Sequence, residues 1–211
     1  MKLTDRFDDR IIFKGDVLHL DMAFDKVLRS FELWDDDKFT EVEKIEIFLE
    51  MFVTEKEKVK GLAYKEKVTL FNEVFGSFIL NASDKKEQSN QGEISTIPNK
   101  KIYDINKDAE YIYASFLFDY NIDLFEQQGK LHWRKFQALL SNLSDKTKFK
   151  QVVSIRKEEI PTQTKYNQKE RERLIELKRI YRLEGAETIQ EIDAKFDHLA
   201  SMLRPSGGEN K

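Results

Sequence analysis

Residues 108–156 read DAEYIYASFLFDYNIDLFEQQGKLHWRKFQALLSNLSDKTKFKQVVSIR, and this stretch decides the fold. It is dense in aromatic and aliphatic side chains, with one Gly and no Pro. Its apolar residues recur at three and four. Ala109, Ile112, Tyr113, Phe116, Leu117 and Tyr120 fall at i, i+3, i+4, i+7, i+8 and i+11, one side of an α-helix. Trp133, Phe136, Leu139, Leu140 and Leu143 form a second stripe. Residues 121–128 suit a short helical turn closed by Gly129. Ser144 is placed to cap a further helix with Phe149, Val152 and Val153 inward, ended by Pro161. Aromatics at core spacing beside Leu and Ile predict packed helices. A stacking platform for nucleic-acid bases would need an exposed and usually basic surface.

Toward the N-terminus, RIIFKGDVLHL (10–20) predicts two short strands around the tight turn Lys14-Gly15-Asp16. Asp21 is a candidate cap for a helix with Phe24, Val27, Leu28 and Phe31 on one face, ended by Asp35-Asp36-Asp37. Thr40-x-x-Glu43 has the form of a capping box, followed by Val42, Ile45, Leu49 and Phe52 at helical spacing. The run around Gly61 reads as a connection, and a third helix carries Phe71, Val74, Phe75 and Phe78. Residues 83–101, SDKKEQSNQGEISTIPNKK, are polar and without period. They read either as a long exposed loop within one domain or as a boundary between two subdomains, and the loop is favoured because the two apolar faces need each other.

The C-terminal part changes character. Residues 165–182 hold seven basic residues against three acidic, so the rest of a chain of net charge −3 is about −7. They predict a charged helix with a thin seam at Leu174, Leu177 and Tyr181. Thr188-x-x-Glu191 is a second capping box, and Ile189, Ile192, Phe196, Leu199 and Leu203 recur at 3, 4, 3 and 4. Two heptads are too short to stand alone, so this seam is expected to dock on its own chain or another. PSGGENK (205–211) reads as a disordered tail.

Composition bounds the rest. The 211 residues suffice for a buried core without metals or disulfides. Cysteine is absent, which excludes disulfides, thiolate metal sites and Cys nucleophiles. The start, MKLTDRFDDR, has no apolar segment of a secretory signal, and no apolar run approaches a bilayer span. A cytoplasmic protein is expected, without membrane attachment.

No constellation for catalysis emerges. The glycines are scattered, and His19, His132 and His198 lie far apart and read as packed or surface residues. Asp119-x-Asn121-x-Asp123 resembles the start of a calcium loop. The loop's sixth position needs Gly and holds Leu124, and its twelfth needs Glu and holds Lys130. Asp35-Asp36-Asp37 reads as a solvated turn. No enzyme, no cofactor and no metal are expected.

The segment YDINKDAEYIYASFLFDYNIDLFEQQGKLHWRKFQALLSNLSDKTKFKQVVSIR resembles a family of phage and prophage proteins often labelled gene product fifteen, from Gram-positive siphophages. The resemblance is carried by Asp108, Ala109, Glu110, Ile112, Ala114, Ser115 and Phe116, then Tyr120, Asp123, Leu124, Trp133, Phe136, Leu139, Leu140 and Leu143. It is closest over residues 100–160. These proteins are encoded near the tape-measure protein and read as tail-assembly chaperones, with no catalytic residues to carry over. The resemblance implies a non-enzymatic tail-assembly chaperone in the infected or lysogenic host cytoplasm, absent from the mature virion. Its implied partners are the tape-measure protein and the major tail protein, and a homo-oligomer is compatible with it. Two other roles stay open: a nucleic-acid-binding or regulatory protein using helix 165–182, and a structural tail component. A charge excess of four with Glu interleaved is a modest phosphate-binding footprint, so nucleic acid is not the expected partner. Charge and thin apolar seams place partner contacts at Lys169, Arg173, Leu174, Leu177, Tyr181, Ile192, Phe196 and Leu199.

The expected architecture is mainly α: a multi-helix bundle with a small N-terminal β-hairpin and a helical C-terminal extension. Residues 1–160 form the core domain with its loop at 83–101, 161–204 the charged extension and 205–211 the tail. The core is expected to draw on Phe24, Leu28, Phe31, Ile45, Leu49, Phe71, Phe75, Phe78, Ile112, Phe116, Trp133, Phe136, Leu140, Phe149 and Val152.

Overall fold

A computed structural model of the chain describes residue 4, residues 6–79 and residues 102–183. The loop at 83–101, the seam at 189–203 and the tail lie outside the described residues. The protein is mainly helical, with an N-terminal two-stranded antiparallel hairpin. Its described residues form two compact units, one from 4–79 and 128–136, the other from 102–127 and 137–183.

In the first unit, β1 (Arg10–Phe13) pairs with β2 (Asp16–His19) in the register Ile11↔Leu18 and Ile12↔Val17. Lys14 and Gly15 both take left-handed backbone, with φ of 53° and 87°. Two positive φ values define the turn whose twist matches a two-residue hairpin. Ile11 and Leu18 are buried on one face, and Ile12 and Val17 are exposed on the other. So short a hairpin is marginal alone. It is tied down by Lys58 to Asp16 (2.7 Å), by Lys14 to Glu66, and by the His19 amide to the Glu55 carboxylate (2.8 Å).

Helix α1 (Phe24–Asp35) buries Phe24, Val27, Ser30 and Leu33. It opens after Ala23 and not at Asp21. Asp21 instead accepts from the Ala23 amide (3.2 Å) and pairs with Lys26 (2.5 Å), so its carboxylate braces the turn ahead of the helix. Thr40 and Glu43 do form a reciprocal capping box at the start of α2 (Glu41–Phe52). Val42 is exposed and Phe48 takes its place in the core. The run around Gly61 contains a short helix α3 (Lys56–Lys60) before α4 (Tyr64–Val74), which ends in a π-helical turn over Phe75–Ile79. Aromatic rings join these helices: Phe48 meets Phe71 edge-on at 4.8 Å between centroids, and Trp34 lies 5.2 Å from Phe71. Lys44, mostly buried, donates to the Trp34 carbonyl (2.8 Å) and so satisfies an open carbonyl in the last turn of α1.

Residues 128–136 belong to this unit although nearly a hundred positions separate them from α1. The Phe24 amide donates to the Leu131 carbonyl (2.9 Å), and the Trp133 amide to the Met22 carbonyl (2.7 Å). Trp133 packs edge-on against Phe31, and Phe136 stacks on Phe24.

The second unit is built on α5 (Ala109–Tyr120), α7 (Lys148–Lys157) and α8 (Gln168–Ile180). Helix α6 (Trp133–Ser141) begins in the first unit and ends in this one. Thr147, not Ser144, caps α7 by accepting from the Lys150 amide (3.4 Å). Ser144 is held instead by Asp119, through its amide (2.6 Å) and hydroxyl (2.8 Å). Helix α7 ends at Lys157, before Pro161 is reached.

Candidate interaction site

The phase of α5 differs from the expected stripe. Its buried face is Ile112, Ser115 and Phe116, while Ala109 and Leu117 are exposed. The reason lies in Ser115, which is wholly buried yet satisfied. Its hydroxyl donates to the Tyr111 carbonyl (2.6 Å) and accepts from the Phe149 amide (3.1 Å), an unpaired donor in the first turn of α7. That contact turns α5 so that its second apolar side points outward.

The outward side carries Tyr113, Ala114, Leu117 and Phe118, which are neighbours at helical spacing. Phe118 is 68% exposed and Leu117 43%. Beyond the helix end, Phe125 is 70% exposed and lies 5.2 Å from the Tyr113 ring. Its position is set by hydrogen bonds. Asn121 ends α5 in left-handed backbone (φ 52°), its amide bonded to the Leu117 carbonyl (3.1 Å). The Asp123 carboxylate then accepts from the Phe125 amide (2.9 Å) and from the Tyr113 hydroxyl (3.2 Å). Partial desolvation, the Asp123 charge and hydrogen bond, and the Glu126 charge hold the Tyr113 phenol above its ordinary pKa. Asp119, Asn121 and Asp123 thus serve as a brace, a helix cap and a turn.

Helix α8 is docked by its thin seam. Leu174 is 7% exposed, and Leu177 and Tyr181 are half-buried. Lys178 donates to the carbonyls of Ile155 (2.7 Å) and Arg156 (3.0 Å) near the end of α7. The Lys148 ammonium lies 2.6 Å from the Tyr181 hydroxyl and 4.6 Å from the centre of its ring. Of the residues expected to touch a partner, Lys169 and Arg173 are exposed, whereas Leu174, Leu177 and Tyr181 pack within the unit. Ile192, Phe196 and Leu199 lie outside the described residues.

Arg156 joins three segments of this unit. Its guanidinium grips Asp108 with two hydrogen bonds (2.6 and 2.8 Å), reaches the Ile102 carbonyl (3.1 Å) and donates from Nε to the Tyr181 carbonyl (2.6 Å). The Asp108 side chain is buried and that of Arg156 is nearly so. The sequence offered only a hint of this, an acid just ahead of a helix start.

His19 and His132 are the histidines among the described residues, and each lies beside a carboxylate. His19 pairs with Glu55 (2.6 Å); His132 stacks on Phe7 at 4.0 Å and bonds Asp9 (3.0 Å). No group of three or more His, Asp or Glu among the described residues could hold a metal ion. No described helix is long and apolar enough to cross a membrane.

Residues 4–183 match the family described as bacteriophage Gp15 protein. The chain belongs to that family. The matched span includes every described element of this Gp15-family protein, from the hairpin through α8. No curated protein and no solved structure matches it.

Proposed function

We propose that this phage protein is a non-enzymatic tail-assembly chaperone that binds the tape-measure protein, and with it tail-tube subunits, in the host cytoplasm. The single observation that supports this reading most is the apolar outer side of α5. A helix that is apolar on both sides calls for burial on both, and here one side is exposed. The physical need fits. A tape-measure protein is a very long, mostly helical chain whose apolar seams must stay apart until tube subunits enclose it. A helical face can cover such a seam. Many weak copies along one chain gain by avidity, and each leaves as the tube advances.

Co-expression with the phage's tape-measure reading frame tests this. The tape-measure product is expected to be soluble and to co-purify with this chain. Mass spectrometry of purified virions is expected to find the tape measure and not this protein. Presence of the chain in virions at the copy number of a tail part would favour a structural role. Retention of DNA or RNA, lost steeply with salt, would favour the nucleic-acid reading.

A further inference from the structure

We infer that α8 is a detachable arm: it opens from α7 as a unit while α5 and α7 stay folded, and opening bares a seam that the closed form hides. Its apolar attachment is thin. Leu174 is the buried residue of α8, with Leu177 and Tyr181 half-buried beside it. Helix α5 buries Ile112, Ser115 and Phe116, and α7 buries Phe149 and Val152. Helices in proteins are held mainly by the apolar face they pack. By that measure α8 is the least firmly held of the three.

Its polar attachment lies at one end. Lys178 donates to the carbonyls of Ile155 and Arg156, and the Tyr181 carbonyl accepts from Arg156 Nε. Each helix thus satisfies open carbonyls at the other's C-terminal end with a cation. The Tyr181 ring lies edge-on to Tyr111 at 6.1 Å, and its hydroxyl meets Lys148. The first half of α8 is bonded differently. Gln168 donates to Glu172 (3.0 Å) within the helix, and Arg171 donates to the Pro161 carbonyl (3.1 Å) in the loop just ahead of it. Closure therefore depends on Leu174 and on the turn at 178–181.

Opening also returns water to an enclosed ion pair. The Arg156 and Asp108 side chains are 9% and 1% exposed, and the Tyr181 carbonyl covers the Nε edge of the guanidinium. Withdrawing α8 lets water reach that edge, and hydration offsets part of the cost of opening. A helix of 13 residues is marginal alone in water, so a released α8 unravels, and opening and unravelling are one event. Leu174, Leu177 and Tyr181 are then accessible. The closed arm keeps its own seam out of reach, an autoinhibitory contact that does not depend on the chaperone reading.

Hydrogen exchange of the full chain under native conditions, resolved by peptide, tests this. Amides of residues 172–180 are expected to exchange together, and at least about tenfold faster than those on the buried faces of α5 and α7. Lys178→Met keeps the aliphatic stem and removes the ammonium. It should speed exchange in α8 about tenfold further and leave α5 and α7 unchanged. Leu174→Ala should act in the same way through lost packing. Exchange in wild-type α8 as slow as in α5 and α7 overturns the inference. So does a substitution that speeds all three helices equally, or exchange in α8 that neither substitution alters.

Discussion

Arg156 and Asp108 form a two-pronged ion pair, at 2.6 and 2.8 Å, between the last turn of α7 and the residue just ahead of α5. Burial makes the pair asymmetric in its consequences. Losing one partner strands a charge away from water, typically at a cost of about 3–5 kcal/mol. Arg156→Ala and Asp108→Ala are each expected to lower stability by about that much, read from urea unfolding. The double variant should lose clearly less than the sum, because it leaves no charge stranded. Additive losses would show that the two side chains act independently.

The hairpin turn gives a second expectation. Gly15 has φ 87°, and a Cβ placed there would meet nothing within 4 Å. The cost of Gly15→Ala is therefore conformational and not steric, about 1–2 kcal/mol. Chemical denaturation reads it. No change would mean the turn relaxes away from left-handed backbone.

Thr40→Ala removes the acceptor for the Glu43 amide at the start of α2. A loss of about 1 kcal/mol is expected, as for other caps of this type. Thr40→Ser should recover most of it, since the hydroxyl is what accepts.

Acid should weaken the fold through a few half-buried, hydrogen-bonded carboxylates. Glu66 lies below its ordinary range because Lys14 and the Ala63 amide bond it, and Glu55 does so because of the amide and ring of His19. A carboxylate depressed in the folded state contributes stability above its unfolded pKa and loses it as pH falls through the folded value. Stability is therefore expected to be flat near neutrality and to fall below about pH 4.3. Glu66→Gln should make that fall shallower. An unchanged acid limb would show that Glu66 keeps no interaction on folding.

The outer face of α8 offers a cleaner probe than truncation. Cutting the chain before α8 removes the Tyr181 carbonyl from Arg156 and the Lys178 ammonium from the end of α7, so lost binding could reflect a damaged fold. Lys169→Glu with Arg173→Glu changes only exposed charges and should shift stability by no more than about 0.5 kcal/mol each. If α8 guides a partner by charge, association slows in this variant and dissociation does not. Stopped-flow mixing with the tape-measure product separates the two rates.

Local signals in the sequence carried much of the fold. Thr40 and Glu43 announced a helix start because both halves of the bond lie within four residues. Lys14-Gly15 announced a turn because few residues adopt positive φ readily. The phase of α5 was not legible for a physical reason: apolar residues surround the helix, so spacing alone cannot say which side is inward. Ser115, a small polar residue, settles it through a bond to Phe149 thirty-four positions away. The same limit hid the pairing of 131–133 with 22–24 and of Arg156 with Asp108, since partners distant in the chain leave no periodic trace. For the surface, aromatics at core spacing predicted rings packed between helices. Phe118 and Phe125 are exposed instead.

Co-purification of the tape-measure product with the wild-type chain and with the Phe118→Ser, Phe125→Ser variant tests the central claim most directly. The expected result is capture by the wild type and loss of capture by the variant, at equal thermal midpoints. Equal capture by both, or capture by neither, would contradict it.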